Sequence, residues 1–448
     1  NIKLFVEVNQ MNLLSLFATK SSAALLKMVG RGGSLPGTIG LKLDPNILQQ
    51  LKFSGPVILV TGTNGKTSTA NLIASAFEQS GKKVVSNRKG DNLKAGIATV
   101  LLENASMNGM VNADAVVLEV DELNIRHVLP YIPVSALVVT NFFRDQLDRA
   151  REMEQLIASI EKVLPEFKGT LVLNGNDPNT VRLASKAPLA QAMYFGLKEN
   201  QWALPTTSEA SEGKFCPSCG SRLEYDYYQY SHIGRFHCPS CDFATPDLDV
   251  ELEVVSLDDN TFKWKDIQFA GPYSGMYSMY NYAAMLAAVK QFKLPVSSVQ
   301  EVFRHAPVPF GRNEKFMKGD QEIILNLIKN PTGANEVMKV IERDPRNKSA
   351  LIVLNDAEQD GRDISWIYDT HFEVLINDQT SHIACSGSRA YDMALRLHYG
   401  GWDQDIYVDP SLEQALSASL KDTQVLYVIA TYTALYPSRA AIVKEIKK

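Results

Sequence analysis

No apolar run in the sequence reaches the roughly 18 residues that a membrane-spanning helix requires. The first 28 residues also lack the compact apolar region and the cleavage site of a secretory signal. Basic residues are in no excess, because 45 lysines and arginines stand against 50 aspartates and glutamates and the net charge is −5. Such a balance gives no general affinity for nucleic-acid phosphates or for a membrane surface. We therefore expect a cytoplasmic protein that binds no nucleic acid.

Cysteine is scarce, and its placement is informative. Of the five cysteines, four form two Cys-x-x-Cys pairs separated by 18 residues, Cys216 with Cys219 and Cys238 with Cys241. Two pairs at this spacing are typical of a zinc ribbon, in which four thiolates bind one Zn²⁺ tetrahedrally. A closed four-thiolate site is structural, and it would stabilise an insert that is too small to have its own core.

The alternative for the four thiols is that they are free and bind no metal. His232 and His237 lie close to the second pair in the sequence, but a four-thiolate site has no place for them. We expect both to be ordinary surface residues. Cys385 is remote from the two pairs, and its strand-like surroundings predict a buried structural cysteine.

Short apolar strands alternate with helices along most of the chain. The run Val57–Val60 is followed by a glycine-rich turn and a helical pattern over Ser68–Gln79, and similar units recur up to Leu173. This alternation predicts an α/β fold whose parallel sheet is covered on both faces. The rhythm is interrupted at 212–245, which carries the cysteines. It resumes over 312–448, where it predicts a second, smaller doubly wound unit.

The pattern also makes three local predictions. Residues 11–48 are predicted to form one amphipathic helix that ends in a loop at Gly30–Gly37. A strand is predicted at Val374–Ile376, and the final helix is predicted at Pro437–Ile446.

The turn after the first strand has the composition of a phosphate-binding loop. It reads Thr-Gly-Thr-Asn-Gly-Lys-Thr from Thr61 to Thr67. Glycines allow the backbone to curl so that its N–H groups face a phosphate, and the start of the next helix adds a positive dipole end. The lysine can reach the β- and γ-phosphates, and the last hydroxyl can bind Mg²⁺. We predict that ATP is bound by Thr63, Asn64, Gly65, Lys66, Thr67 and Ser68. The alternative is a glycine-rich turn without a ligand, since Val60 stands where the general Walker pattern has its first glycine.

This loop resembles that of the Mur ligases and folylpolyglutamate synthases, and further segments resemble those families in the same order along the chain. They are Glu119 at a strand end, Thr140–Asn141 followed by Asp145–Asp148, Asn174–Asp177, Asn281, Gly311–Glu314 and Asn330. The resemblance implies a Mur ligase-type central P-loop ATPase domain at 49–308 with the zinc-ribbon insert at 212–245. It also implies an N-terminal lead-in at 11–48 and a smaller C-terminal Rossmann-like ligase domain at 309–448.

The same resemblance implies roles for single residues. Mg²⁺ would be bound by Thr67 and Glu119, Asn281 would contact adenine, and Arg312 would meet the γ-phosphate. Lys66, Glu119 and Arg312 would then carry the phosphoryl transfer. Two positions depart from the family pattern, because Gln146 replaces a histidine near the second metal site and Asn326 replaces a ribose-binding aspartate.

Three features together resemble the MurT family, the ligase-like subunits of lipid II isoglutaminyl synthase. They are the cysteine insert, the acidic loop that contains Asp360, Asp363 and Trp366, and the ending Ile429–Ala434. The resemblance implies ATP-dependent amidation of D-glutamate in the lipid II stem peptide, with ammonia from a GatD-like glutamine amidotransferase in a heterodimer. Asp363 would complete the partner's Cys–His pair, and the membrane would be contacted through the substrate only.

Two other functions stay open at this point. One is a stand-alone Mur- or folylpolyglutamate-type ligase that adds an amino acid to a carboxylate. The other is a nucleotide-gated regulatory protein that uses the zinc module for contacts.

Overall fold

The computed structural model describes residues 11–28, 33–88, 91–144, 153–207, 212–305, 311, 313–420 and 423–447. These residues form a nine-stranded sheet, a six-stranded sheet and two small two-stranded ladders. We refer to the two large sheets as the first and the second sheet.

The strands have the following bounds: β1 Lys52–Phe53, β2 Val57–Thr61, β3 Val84–Ser86, β4 Met110–Val111, β5 Ala115–Glu119, β6 Ala136–Val139, β7 Thr170–Asn174, β8 Gln191–Leu197, β9 Glu224–Tyr230, β10 Ile233–His237, β11 Val250–Ser256, β12 Thr261–Trp264, β13 Ile267–Ala270, β14 Glu314–Lys318, β15 Gln321–Leu327, β16 Lys348–Val353, β17 Thr380–Ser386, β18 Ile406–Val408 and β19 Val425–Ala430.

The α-helices have the following bounds: α1 Leu13–Met28, α2 Leu35–Leu43, α3 Lys66–Gln79, α4 Lys94–Asn104, α5 Ile125–Val128, α6 Met153–Glu161, α7 Pro178–Val181, α8 Met276–Gln291, α9 Val296–His305, α10 Pro331–Arg343, α11 Ala390–Tyr399, α12 Leu412–Ser419 and α13 Tyr432–Ile446. Short 3-10 turns cover Ile47–Gln50, Glu122–Asn124, Leu129–Tyr131, Arg182–Lys186, Ser365–Asp369 and Phe372–Leu375. Over the described part of the chain, no helix has both the length and the apolar composition needed to cross a membrane.

The first sheet has the strand order β13-β12-β11-β8-β7-β6-β2-β5-β3. Its strands from β3 to β11 are parallel, and β12 and β13 extend it as an antiparallel edge. The central strand β2 is buried along its whole length, as are β5, β6 and β7. A continuous run of apolar β-branched residues is the expected sequence for a strand that is covered on both faces.

Helices pack against both faces of the first sheet. On one face, Ile58 and Val60 join a core that includes α3 and the alanine-rich helix α8. On the other face, Val57 and Leu59 join a core that includes residues of α1 and α4. The parallel α/β architecture predicted from the sequence is thereby confirmed, and the carboxyl end of β2 is placed where such sheets bind ligands.

The second sheet has the order β14-β15-β19-β16-β17-β18 and is parallel except at β14. It too has a separate apolar core on each face. The expected second doubly wound unit is therefore present.

The lead-in contains two helices rather than the predicted single helix and loop. The second helix, α2, includes Pro36, Gly37 and Gly40, which the sequence analysis assigned to or near a loop. Proline is tolerated in the first turn of a helix, because its missing N–H has no partner there. Gly37 is required for packing, since a Cβ at this position would lie 1.9 Å from the carbonyl oxygen of Ala95.

Two other local predictions were wrong. The predicted strand at Val374–Ile376 is part of a 3-10 turn, in which the buried side chains Phe372 and Leu375 are three residues apart. That spacing matches one turn of a 3-10 helix and not the alternation of a strand. The last helix begins at Tyr432, five residues before the predicted start, and it contains Pro437 in its interior.

Candidate nucleotide and zinc sites

The loop between β2 and α3 curls tightly around its own backbone. Gly62 has a φ of 121° and Gly65 a φ of 84°, both in the region that L side chains rarely adopt. Steric crowding also excludes a side chain at either glycine. A Cβ on Gly62 would lie 2.3 Å from Thr140 Oγ1, and one on Gly65 would lie 2.3 Å from Asn281 Oδ1. The loop ends at Lys66, the first residue of α3.

Thr140 and Asn141, which directly follow strand β6, hold the loop in this shape. The backbone N–H of Asn64 donates to Asn141 Oδ1 over 2.9 Å, and Asn64 O accepts from Thr140 Oγ1 over 2.7 Å. The N–H of Thr63 donates to the carbonyl oxygen of Asn141. The Thr-Asn pair singled out in the sequence therefore shapes the phosphate loop directly.

The side chain of Thr63 is turned into the protein. It is buried, donates to the carbonyl oxygen of Phe143 over 3.2 Å and accepts from the Phe143 N–H over 3.1 Å. Ser68 is also buried, whereas Thr67 between them is partly exposed. Of these hydroxyl groups, Thr67 is the one with access to a ligand at the loop.

Lys66 is buried beside a carboxylate that the sequence analysis did not identify. Its Nζ donates to the carbonyl oxygens of Gly62 and Thr63 and lies 3.2 Å from Glu122 Oε2. Burial raises the pKa of Glu122 above its ordinary value, and the Lys66 ammonium partly opposes that rise. The pair keeps the lysine head at the base of the loop.

Glu119 ends strand β5 directly beside the loop, because it pairs with Val60 on β2. Its side chain is buried and its Oε1 accepts from Asn92 Nδ2 over 2.8 Å. Asn87 fixes the backbone here, since it accepts from the Glu119 N–H and donates to the Glu119 carbonyl oxygen. A carboxylate held in this way suits a hard cation such as Mg²⁺.

Asn281, on helix α8, faces the loop from the other side. Its Oδ1 accepts from Thr69 Oγ1 over 3.2 Å, while its buried Nδ2 has no hydrogen-bond partner among the described residues. A buried amide N–H without a partner is uncommon in a folded protein. Together with the curled loop, this donor fits a bound nucleotide.

The second sheet contributes contacts to the same loop. Asn330 caps helix α10 through its Oδ1, and its Nδ2 donates to Asn64 Oδ1 over 3.1 Å. Lys329 Nζ lies 3.5 Å from the carbonyl oxygen of Thr63. Arg312 and the segment Asp145–Asp148 with Gln146, all named in the sequence analysis, lie outside the described residues.

The four cysteines of the insert form one cluster. Their Sγ atoms all lie within 4.8 Å of one another, with 3.6 Å between Cys216 and Cys241 and 3.5 Å between Cys219 and Cys238. Tetrahedral zinc with Zn–S bonds near 2.3 Å places its sulfurs about 3.8 Å apart. The observed spacing fits that geometry and is far too long for disulfides.

Local hydrogen bonds support thiolates at this cluster. In each Cys-x-x-Cys turn a backbone N–H, from Ser218 or Ser240, lies 3.4 Å from the first cysteine's sulfur. Hydrogen bonds from Ser221 lower the pKa of the Cys219 thiol to about 6. At Cys241 a backbone hydrogen bond with Phe243 lowers the pKa, but desolvation and the three neighbouring thiols outweigh it and raise the pKa to about 12, so the donors favour the thiolate at Cys219 and not at Cys241. Since metal binding requires the deprotonated thiol, these donors favour zinc binding.

His232 is not the surface residue that the sequence suggested. It follows Ser231, whose positive φ of 47° turns the chain between β9 and β10, and it is completely buried. Its Nε2 lies 3.2 Å from Asp177 Oδ1, and its ring packs 4.8 Å from that of Phe143. His237 is exposed as expected. The tip of the insert's hairpin therefore docks on the first sheet, which no local pattern could have revealed.

In the acidic loop after β16, Asp360 is buried and anchored by a hydrogen bond, whereas Asp363 is partly exposed to solvent. Asp360 is buried and accepts from the N–H of Thr433 over 2.7 Å. Asp363 is partly exposed and accepts from the Ser365 N–H over 2.8 Å. The Ser365 backbone and side chain lower the pKa of Asp363, so this carboxylate is ionised near neutral pH. Trp366 packs in the apolar core on one face of the second sheet.

Family models match most of this architecture. Residues 60–289 match the Mur ligase middle domain, and residues 327–435 match the MurT ligase C-terminal family.

Similar proteins and structures agree with those matches. The MurT subunit of the glutamine-hydrolysing lipid II isoglutaminyl synthase from Streptococcus pneumoniae is 33% identical over 96% of this chain and 97% of its own length. The MurT subunit from Staphylococcus aureus is 33% identical over 95% of both chains. A pseudomurein peptide ligase type C from Methanothermus fervidus has a TM-score of 0.69 and 20% identity over 90% of this chain and 81% of its own. Folylpolyglutamate synthase from Thermotoga maritima has a TM-score of 0.58 and 14% identity over 92% and 94%. The two structural likenesses establish the Mur ligase fold.

Proposed function

The chain belongs to the MurT family of Mur ligase-like subunits, and we propose that it is the ATP-dependent synthase subunit of a lipid II isoglutaminyl synthase. It amidates the α-carboxylate of D-glutamate in the lipid II stem peptide and so produces D-isoglutamine. The observation that carries the proposal is the curled loop Thr61–Thr67, with the buried Lys66 at its base. Asn281 faces this loop, and its Nδ2 has no hydrogen-bond partner among the described residues.

The reaction proceeds in two transfers. The γ-phosphoryl group of ATP passes to the carboxylate, which leaves ADP and an acyl phosphate. Ammonia then attacks the acyl carbon, the C–O bond to phosphate breaks, and the product amide forms with release of phosphate and a proton. Phosphorylation is needed because a bare carboxylate has no adequate leaving group.

The residues of the chain position and neutralise charge in this scheme. The backbone of Asn64 and Gly65 together with the Lys66 ammonium would hold the phosphates, and we assign to Arg312, from its place in the family pattern, the neutralisation of charge on the transferred group. Thr67 and Glu119 would hold Mg²⁺, which would supply positive charge to offset that of the phosphate oxygens. Asn281 binds the base. We propose the domain division 49–308 and 309–448, with the phosphate site at the carboxyl end of β2.

The four cysteines hold a structural Zn²⁺ in the insert at 212–245. Its fit rests on the sulfur spacing and on the donors to those sulfurs. The site has no free position for a substrate once four thiolates bind, so its role is to fold the insert.

Ammonia comes from a separate GatD-like glutaminase. Cys385, the cysteine outside the zinc cluster, is buried, and burial raises its pKa to about 12. Such a thiol is unsuited to nucleophilic attack on glutamine. Asp363 is exposed enough to reach a partner, where it orients the histidine of the partner's Cys–His pair. The complex works at the cytoplasmic side of the membrane, where the lipid-linked substrate is held.

ADP release in the presence of lipid II tests the proposal. We expect turnover with ammonia alone, and turnover with glutamine only when the glutaminase partner is present. ADP release with an amino acid as the nucleophile, and without ammonia or partner, would instead indicate a stand-alone ligase. Absence of turnover under every condition would indicate a regulatory nucleotide-binding protein.

A further inference from the structure

Helix α1 carries an apolar face that no described part of the chain covers. Leu14, Phe17, Leu25 and Met28 are 68%, 65%, 65% and 83% exposed. At 3.6 residues per turn, these four side chains fall within an arc of about 80°. Ser21 lies at the centre of this arc, so the four apolar side chains surround one small hydroxyl. Exposed apolar side chains grouped on one face mark an interaction site more often than isolated ones do.

The orientation of this helix is fixed by its other face. Ser15, Leu16, Thr19 and Ala23 are buried. The Ser15 hydroxyl donates to the carbonyl oxygen of Gly40 on α2 over 2.8 Å. The packed face is therefore the small and hydroxyl-bearing one, and the larger apolar side chains are left outward.

The charge of the segment around α1 indicates the kind of surface that its apolar face binds. Residues 11–43 contain Lys20, Lys27, Arg31 and Lys42 and no aspartate or glutamate, although the whole chain has a net charge of −5. On a helical projection Lys20 and Lys27 border the apolar arc on one side. Glu103 offsets part of this charge, since Lys27 Nζ lies 3.0 Å from its Oε2 and Lys20 Nζ donates to its carbonyl oxygen.

We propose that the outward face of α1 docks on the surface of an anionic bilayer. An apolar stripe bordered by lysines is the pattern of a helix that lies in a membrane interface. The choice of a bilayer rests partly on the proposed function, because a lipid-linked substrate requires the enzyme to work at a membrane. The contact is direct, and it departs from the sequence-based expectation that the substrate alone provides it.

Vesicle sedimentation tests the inference without any reaction. Purified chain is mixed with vesicles of phosphatidylcholine, with or without phosphatidylglycerol, in the absence of lipid II and ATP. We expect binding to the anionic vesicles that weakens as salt is raised. The double variant Phe17→Ser/Leu25→Ser should bind about ten-fold less or weaker still.

A matched control is provided by Leu189 and Met317, which are 53% and 54% exposed elsewhere on the chain. The variant Leu189→Ser/Met317→Ser should bind vesicles as the parent does. Equal binding by all three proteins, or no binding by the parent, would overturn the inference. Dissociation of a self-associated parent by the α1 substitutions would overturn it in favour of a second copy as the occupant.

Activity on detergent-solubilised lipid II separates this inference from the proposed function. We expect ADP release to be unchanged in the α1 variant, because no bilayer is present. If the parent binds vesicles but never turns over lipid II, the proposed function fails while the surface assignment stands.

Discussion

His232 Nε2 lies 3.2 Å from Asp177 Oδ1, and both side chains are completely buried. The histidine comes from the hairpin tip of the cysteine insert, while the aspartate caps helix α7 after β7. The other carboxylate oxygen of Asp177 accepts from the N–H of Phe142, which follows the Thr-Asn pair that shapes the phosphate loop. The pair thus joins the cysteine insert to the segment that holds the loop Thr61–Thr67 in shape.

Replacing this histidine should destabilise the protein. His232→Ala removes the contact with Asp177 and the ring packing on Phe143, which together should lower the free energy of unfolding by about 2–4 kcal/mol. Urea denaturation of the zinc-loaded protein measures the change. The exposed His237 is the control, and His237→Ala should alter stability by no more than about 0.5 kcal/mol. Similar effects of the two substitutions would contradict the assigned role of the buried pair.

Removal of one thiolate should release the metal. Cys219→Ser leaves three sulfurs, and we expect zinc content to fall well below the about one ion per chain of the parent. Limited proteolysis should then cut within 212–245, because the insert has only a small apolar core of its own. Cys385→Ala serves as the control and should keep its zinc. A parent protein that carries no zinc would rule out the site.

Local sequence was enough to find the strand Val57–Val60 and the loop that follows it. Both depend on neighbouring residues, since an apolar β-branched run and paired glycines act over a few positions. Glu122 could have been suspected, because it lies in an acidic segment directly after β5. Its contact with Lys66, 56 residues away in the chain, follows from the pairing of β2 with β5, which brings the ends of the two strands together.

The predictions for His232 and for residues 35–43 were wrong because both depend on tertiary contacts. The burial of His232 depends on how the hairpin β9–β10 lies against Phe143, and a histidine in a turn gives no sign of that. The helix at Leu35–Leu43 contradicts its own propensities, since it includes two glycines and a proline. Close packing against α4 explains it, because only a residue without a Cβ fits beside Ala95 at Gly37. Local pattern cannot indicate either contact.

The buried carboxyl of Glu122 should make stability depend on pH. Burial raises its pKa in the folded state, so its favourable contribution is present at low pH and is lost as pH rises through the folded pKa. Glu122→Gln cannot ionise, so its stability relative to the parent should increase as pH rises from about 4 towards 7. Thermal denaturation across this range measures the difference. A constant difference would count against the assignment, and the exposed Glu358→Gln is the control.

The lysine of the phosphate loop should be essential for ligation alone. Lys66→Ala removes the cation that we propose faces the β- and γ-phosphates, and we expect ATP-dependent amidation to fall by about 10²-fold or more. The glutaminase activity of the partner should persist, because we assign that chemistry to the partner's Cys–His pair and to Asp363, not to the loop that contains Lys66. Lys82→Ala, at an exposed site just beyond the far end of α3, should keep full activity. Loss of both activities would point to a folding defect rather than to loss of phosphate binding.

Asp363 should matter for the source of nitrogen and not for the ligase reaction. It is partly exposed and ionised, and it lies on the acidic loop that Asp360 anchors. Asp363→Ala should reduce glutamine-dependent amidation by roughly 10²- to 10⁴-fold, since a histidine without its orienting carboxylate is a poor base. Amidation driven by free ammonia should remain close to that of the parent. The exposed Glu358→Ala, in the same loop, should affect neither rate, and equal losses of both rates in Asp363→Ala would place the aspartate in the ligase site instead.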